Sequence, residues 1–161
     1  MELLLLRHGK AEDHGLVGRS DFSRTLLEKG LFQAQHVARM LVASEFLPDI
    51  VLTSPVVRAK QTAEAFTSFS HLPGPVSQDW LSCGMSPETA LKELSAFSDF
   101  KRVMIVGHEP DFSQLIQYTL GASNGYVEVK KGSLACIEIN PPSPRANLRF
   151  LLPHKLAKHI D

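Results

Sequence analysis

The chain has 161 residues, 43% apolar and 21% charged, enough for a substantial core, and 1–161 reads as a single domain. Its seventeen basic and seventeen acidic side chains cancel, which argues against bulk binding to nucleic acid or an anionic membrane; any anion site has to be built locally. No basic leader precedes the first apolar run and no run reaches spanning length, so a cytoplasmic protein is expected, with Cys83 and Cys136 as reduced, semi-buried thiols.

The first element is Leu3–Leu6, which runs into Arg7-His8-Gly9. A short apolar run bounded by glycine fits a strand buried on both faces of a parallel sheet; a helix-prone run with a surface Arg-His pair is the alternative these residues alone leave open. Lys10 to Arg24 is a polar loop with Gly15, Gly18, Ser20 and Ser23. Leu27, Leu31, Ala34, Ala38 and Leu41 then follow a helical spacing, with Thr25-Leu26-Leu27-Glu28 as a capping box that Gly30 weakens, and Pro48 as the stop. Ile50–Thr53 is a second buried strand, and Ser54-Pro55 reads as a helix N-cap with proline at the first helical position. Arg58 falls in that helix's first turn, and Ala59, Ala63 and Phe66 mark its buried stripe.

After the turn at 72–75, Val76 to Leu81 is expected as a short edge strand, and Ser86-Pro87-Glu88 opens a third helix. Val103–Gly107 is the third clear strand and ends in His108-Glu109-Pro110-Asp111; the next helix carries Phe112, Leu115, Ile116 and Leu120 and stops at Gly121. Ser133–Ile139 and Asn147–Leu152 form a hairpin-like pair, and 155–161 a short helix or frayed end. Strand and helix alternating three times before a hairpin predict an α/β fold, a three-layer sandwich around a mostly parallel mixed sheet.

In such a sheet the three strand ends converge on one edge, where ligands bind. Arg7, His8, Arg58 and His108 would gather there beside helix amino termini, which favour anions. A phosphoryl group has three acceptor oxygens that arginine's planar fork meets with paired hydrogen bonds, a reason for arginine rather than lysine at Arg7 and Arg58. A metal site fails on spacing, since neither His8 nor His108 has a nearby second ligand, so no metal or other cofactor is expected. Neither the G-x-x-x-x-G-K-S/T phosphate loop nor a G-x-S-x-G nucleophile elbow is present.

Leu6-Arg7-His8-Gly9, Ser54-Pro55-x-x-Arg58-Ala59-x-Gln61-Thr62-Ala63 and Val106-Gly107-His108-Glu109-Pro110, in that order, resemble the histidine phosphatase superfamily, the RHG or phosphoglycerate-mutase-like fold. The short chain, Lys10-Ala11-Glu12 and the Asp21-x-x-Arg24 segment narrow the resemblance to SixA-like phosphohistidine phosphatases. The resemblance implies His8 as nucleophile through a phosphohistidine intermediate, with Arg7, Arg58 and His108 holding the phosphoryl oxygens and Arg24 as a further phosphate ligand, ahead of Arg19. It implies a phosphorylated protein as substrate, such as a phosphotransfer domain, and phosphate as product. A phosphatase of small phosphate esters and a non-catalytic phosphoanion-binding module are the alternatives.

Two departures bear on this. Thr25-Leu26-Leu27 stands where the family has Pro-Leu-Thr. The segment 79–85 has no glutamate equivalent to the proton donor of larger members, although Glu12, Asp13, Asp79 or Glu109 could serve. An alkoxide leaving group needs such a donor; imidazole, stable as a neutral base near pH 7, does not. With no stretch long enough for a lid beyond Lys10–Arg24, an open site suits a phosphorylated side chain on another protein. Phe22, Trp80 and Met85 could line a docking surface, with core packing the safer expectation for each.

Overall fold

The computed structural model describes residues 1–13, 20–123 and 127–159. Among them, β1 (Glu2–Arg7), α1 (Glu28–Ala43), β2 (Ile50–Thr53), α2 (Val57–Phe69), β3 (Val76–Ser77) and α3 (Pro87–Leu94) are followed by β4 (Arg102–Gly107), α4 (Asp111–Leu120), β5 (Leu134–Ile139), β6 (Ala146–Leu152) and α5 (His154–Ala157). The sheet runs β3-β2-β4-β1-β5-β6: the first four strands are parallel, and β5 and β6 add antiparallel. This is the mixed, mostly parallel α/β sandwich expected from the order of elements.

The leucine run shows why β1 lies at the centre. Leu3, Leu4, Leu5 and Leu6 are all fully buried. Because side chains alternate across a strand, Leu3 and Leu5 pack with Leu91, Leu94, Leu115 and Ile116 of α3 and α4, while Leu4 and Leu6 pack with Val37, Leu41, Ala63 and Phe66 of α1 and α2. Pairing β1 with β4 sets Arg7 opposite Gly107, and pairing β2 with β4 sets Thr53 opposite Val106. Two further backbone bonds carry this register past the strand ends, His8 N–H to Gly107 O (3.0 Å) and Ser54 N–H to Val106 O (3.0 Å). The three motif-bearing ends are therefore held side by side.

Local expectations hold unevenly. Ser86 caps α3, its hydroxyl accepting from Thr89 N–H, and Gly121 closes α4 with a left-handed φ of 65°. The Thr25–Glu28 capping box does not form: α1 starts behind Leu27 with no side-chain cap. Instead Glu12 N–H bonds Thr25 O (3.0 Å) and Leu27 N–H bonds Lys10 O (2.9 Å), an antiparallel patch around the Ala11–Leu26 bridge that recruits Thr25. Ser54-Pro55 does not cap α2 either: the helix begins two residues later behind Val56, and the Ser54 hydroxyl accepts from Val56 N–H (3.2 Å) while it bonds His108. The predicted edge strand at 76–81 shrinks to two residues, and Asp79–Leu81 coil into a 3-10 turn that buries Leu81.

Gly30 is a close-approach residue rather than a helix defect. A Cβ there would strike the Lys10 carbonyl oxygen and lie 2.6 Å from Leu26 Cδ1, and one on Gly9 would sit 2.6 Å from Gly30 O. The two glycines let the start of α1 press onto the loop leaving β1.

Candidate active site

His8 lies just beyond β1, 5% exposed, with its ring 5.3 Å from that of His108 beyond β4. The expected convergence of two strand ends is thus met. His8 Nδ1 is 2.8 Å from Gly9 O, and a carbonyl can only accept, so Nδ1 carries the proton. Nε2 is then the lone-pair nitrogen, and it accepts from Arg58 Nε at 3.2 Å. Burial, with the charges of His108, Arg58 and Arg7 adding to it, pushes the ring down to about 3, against the Gly9 hydrogen bond. His8 is a neutral imidazole with an unprotonated Nε2.

His108 is held differently. Its Nε2 lies 2.9 Å from Ser54 Oγ, which also accepts from Val56 N–H at 3.2 Å. The serine hydrogen can turn to Nε2, which puts the ring proton on Nδ1, a buried atom with no partner. Burial first, and the Arg58 charge second, lower this ring to about 4.

Arg58 reaches the site from the first turn of α2. Besides His8, its guanidinium donates to Asp21 O (2.8 Å) and Asp21 Oδ2 (3.2 Å), and one nitrogen lies 3.6 Å from Cys83 Sγ. Arg24 is buried rather than displayed on the loop, donating to Glu12 O (2.7 Å) and Asp21 Oδ1 (2.8 Å). Asp21 thus bridges two arginines. Burial alone would raise its carboxyl, but the Arg24 hydrogen bond and the Arg58 and Arg24 charges more than reverse this and hold it below the usual range. Arg7 donates through one terminal nitrogen to Val129 O (2.9 Å), while its buried Nε has no partner. Arg19 lies outside the described residues, as do Gly15 and Gly18.

Several supporting residues were given no role by the sequence, although Gln61 and Thr62 stand in the second motif. Thr62 Oγ accepts from Gly9 N–H (3.1 Å) and donates to Arg58 O (2.7 Å), joining the first two motifs. Gln61 accepts from Leu26 N–H (2.7 Å) and Gln33 from Lys10 N–H (2.7 Å). Of the four carboxyls weighed as proton donors, Glu109 is pushed up by burial against its Ser113 bonds and the Arg7 charge, whereas Glu12 is occupied with Thr25 N–H (3.0 Å). Met85 is buried and Trp80 packs against the core, but Phe22, beside Asp21, is 52% exposed. Cys136 is buried and Cys83 exposed, both free thiols. Among the described residues no cluster of three metal-ligating side chains occurs, and no helix is long and apolar enough to cross a membrane.

Two neutral imidazoles, three guanidinium groups and two buried nitrogens without partners therefore gather at one sheet edge, a donor set of the kind that can hold an oxyanion. The family model for the histidine phosphatase superfamily (branch 1) matches residues 3–80. An uncharacterized protein of Picosynechococcus sp. is 30% identical over 83% of this chain and 82% of its own length. A structure assigned as the phosphohistidine phosphatase SixA from Agrobacterium tumefaciens superposes with a TM-score of 0.79 at 26% identity, covering 94% of this chain and 97% of the other. The protein histidine phosphatase SixA bound to tungstate gives 0.84 at 21% identity over 97% and 99%. The alpha-ribazole phosphatase of Shigella flexneri gives 0.76 at 23% over 96% and 97%. The chain belongs to the histidine phosphatase superfamily, and its activity is that of a phosphatase.

Proposed function

We propose that the protein is a metal-independent phosphohistidine phosphatase acting on a partner protein, with His8 as nucleophile. The observation that carries this is the state of His8, a neutral ring whose Nε2 lone pair sits among guanidinium groups. In the first step Arg58 Nε gives up its bond to that lone pair and turns to the phosphoryl oxygens. The substrate ring enters protonated on its other nitrogen. His8 Nε2 then forms a bond to phosphorus as the bond from phosphorus to the leaving nitrogen breaks, the electron pair departs with a neutral imidazole, and the His8 ring, which keeps its Nδ1 proton, carries the positive charge. Splitting the displacement through a covalent intermediate replaces one hard step by two easier ones.

Arg7 Nε and His108 Nδ1, two buried nitrogens without partners, would donate to the phosphoryl oxygens together with Arg58 and Arg24. Fixed donors aimed at developing charge supply most of the catalysis in phosphoryl transfer. Water then attacks phosphorus, the bond to His8 breaks, and orthophosphate leaves with the ring again neutral.

Preference for a phosphorus–nitrogen bond is supported by the likeness to SixA proteins and by leaving-group chemistry, since a phosphorylated imidazole can take the proton it needs on its other ring nitrogen from solvent near pH 7 and then requires no dedicated acid. A small phosphate ester is the second reading. It is favoured by Glu109, a carboxyl raised by burial near Arg7 that could protonate an alkoxide. The test is phosphate release from a phosphohistidine protein and from a panel of phosphate esters, by wild type, His8→Ala and Glu109→Gln. His8-dependent release from phosphohistidine that survives Glu109→Gln is expected. Ester turnover that exceeds phosphohistidine turnover and collapses with Glu109→Gln would establish the second reading. A wild type that binds phosphate and turns over neither would sink both.

A further inference from the structure

A cavity of about 750 Å³ opens beside Arg7, well within the size of sites that hold several substrate groups. Its walls come from the loop after β1, the start of α1, the segment before β5, and α5. Among the described residues six formal cations line it, Arg7, Lys10, Lys29, Lys130, Lys131 and Lys155, against one lining carboxylate, that of Glu128, which faces Lys130 at 3.8 Å, while Lys10 pairs with Asp13 at 3.2 Å. In a chain whose charges cancel overall, this is a concentrated positive field.

Two details show that the field is unsatisfied. Lys131 lines the groove, and burial, with the Lys10, Arg7 and Arg24 charges adding to it, holds its ammonium below its ordinary value. The Ser133 hydroxyl, in a residue 1% exposed on the same wall, is buried without a partner. An anionic acceptor would satisfy it. A bare inorganic ion would leave Leu151, Pro153 and Leu156 uncovered, whereas the methylene stems of acidic side chains would lie against them.

We propose that this groove is a docking subsite for an acidic segment of the partner protein, glutamate or aspartate side chains flanking the phosphorylated residue. The inference rests on the reading of His8 and Arg7 as the phosphoryl centre, because Arg7 belongs to both. Phosphorus at His8 and carboxylates at Lys131, Lys29 and Lys155 would be held at once. Such a groove selects substrates by the charge around the phosphorylated position and contributes chiefly to KM and to the rate of encounter.

The test uses phosphohistidine peptides with glutamate or with glutamine flanks, together with phosphoramidate, which has no flanks. The variant is Lys29→Glu/Lys155→Glu; both residues are exposed and stand outside the catalytic centre. For the glutamate peptide KM should rise by about tenfold with kcat unchanged, the combined worth of two reversed surface charges. The glutamine peptide and phosphoramidate should stay within about twofold of wild type. Equal shifts for the two peptides, or none for either, overturn the proposal. Binding of the same labelled peptides to His8→Ala protein runs in parallel. If wild type hydrolyses none of the three substrates, the phosphatase reading falls, and the groove is judged by affinity alone. A preference for glutamate flanks that disappears when Lys29→Glu/Lys155→Glu is added supports it, and equal affinities refute it.

Discussion

Acidification from pH 8 to pH 5 tests the electrostatics of the site without any substrate. His8 and His108 are 5% and 3% exposed, with rings lowered to about 3 and about 4, whereas in the unfolded chain each titrates near 6.5. Each folded value lies below the unfolded one, so between these pH values the unfolded chain takes up protons that the native state refuses. The native state is therefore favoured most above about pH 6.5, and stability falls as the pH drops toward the folded values. Integrated to pH 5, the loss is about 2 kcal/mol for each ring and about 4 for both, a large share of a net stability on the order of 5–15 kcal/mol. Urea unfolding across this range reads the slope. The His36–His154 pair, also lowered by burial, acts in the same direction, so the difference against His108→Gln, expected at about 2 kcal/mol, isolates one ring. Nitrogen-15 NMR should find His8 neutral with its proton on Nδ1 throughout. A His8 ring titrating near 6.5, or a proton on Nε2 at neutral pH, would refute the account of the nucleophile.

Arg58→Lys should lower kcat/KM on phosphohistidine by about 10²–10³, because an ammonium cannot serve His8, Asp21 and the phosphoryl oxygens from one plane; steady-state kinetics check this, and a loss under about tenfold would show that the fork is dispensable. Asp21→Asn removes the carboxylate that faces Arg24 and Arg58, so orthophosphate should inhibit competitively at several-fold lower concentration; a weakened inhibition would mean that Asp21 orients these arginines instead of competing for them. Gly30→Ala should destabilise by about 1–3 kcal/mol in urea unfolding, since its methyl meets the Lys10 carbonyl and Leu26, and an unchanged midpoint would contradict the packing described for α1.

The site was legible in the sequence to the extent that it depends on strand ends. Leu3–Leu6 and Val103–Val106 announce two-sided burial by apolar runs alone, and a parallel sheet then brings His8 and His108 to one edge whatever the loops do. What stayed hidden depends on competition between partners. Ser54 looks like a cap because serine before proline commonly is one, yet its hydroxyl goes to His108, a residue 54 positions away that no local pattern contains. Thr25 loses its capping role in the same way, to a pairing with residues before the loop. Asp21 was visible as part of a motif, but its bridging of Arg24 and Arg58 follows from where the chain turns after the loop. Cys83 beside Arg58, and Thr62 between Gly9 and Arg58, likewise require the tertiary arrangement.

The ring of His8 takes its orientation from a peptide carbonyl, that of Gly9, and this has a consequence for anyone who would retune the protein. Where a carboxylate steers an imidazole, exchanging that carboxylate alters the ring's basicity. Here the steering group is main chain, and no substitution deletes it. Its position is set by Thr62 on the amide of Gly9 and by the bare flank of Gly30 against its α-carbon. Burial sets most of the ring's low basicity, but the opposing contribution of this carbonyl depends on how closely two glycines approach each other, and retuning it would have to begin with the spacing between a loop and a helix.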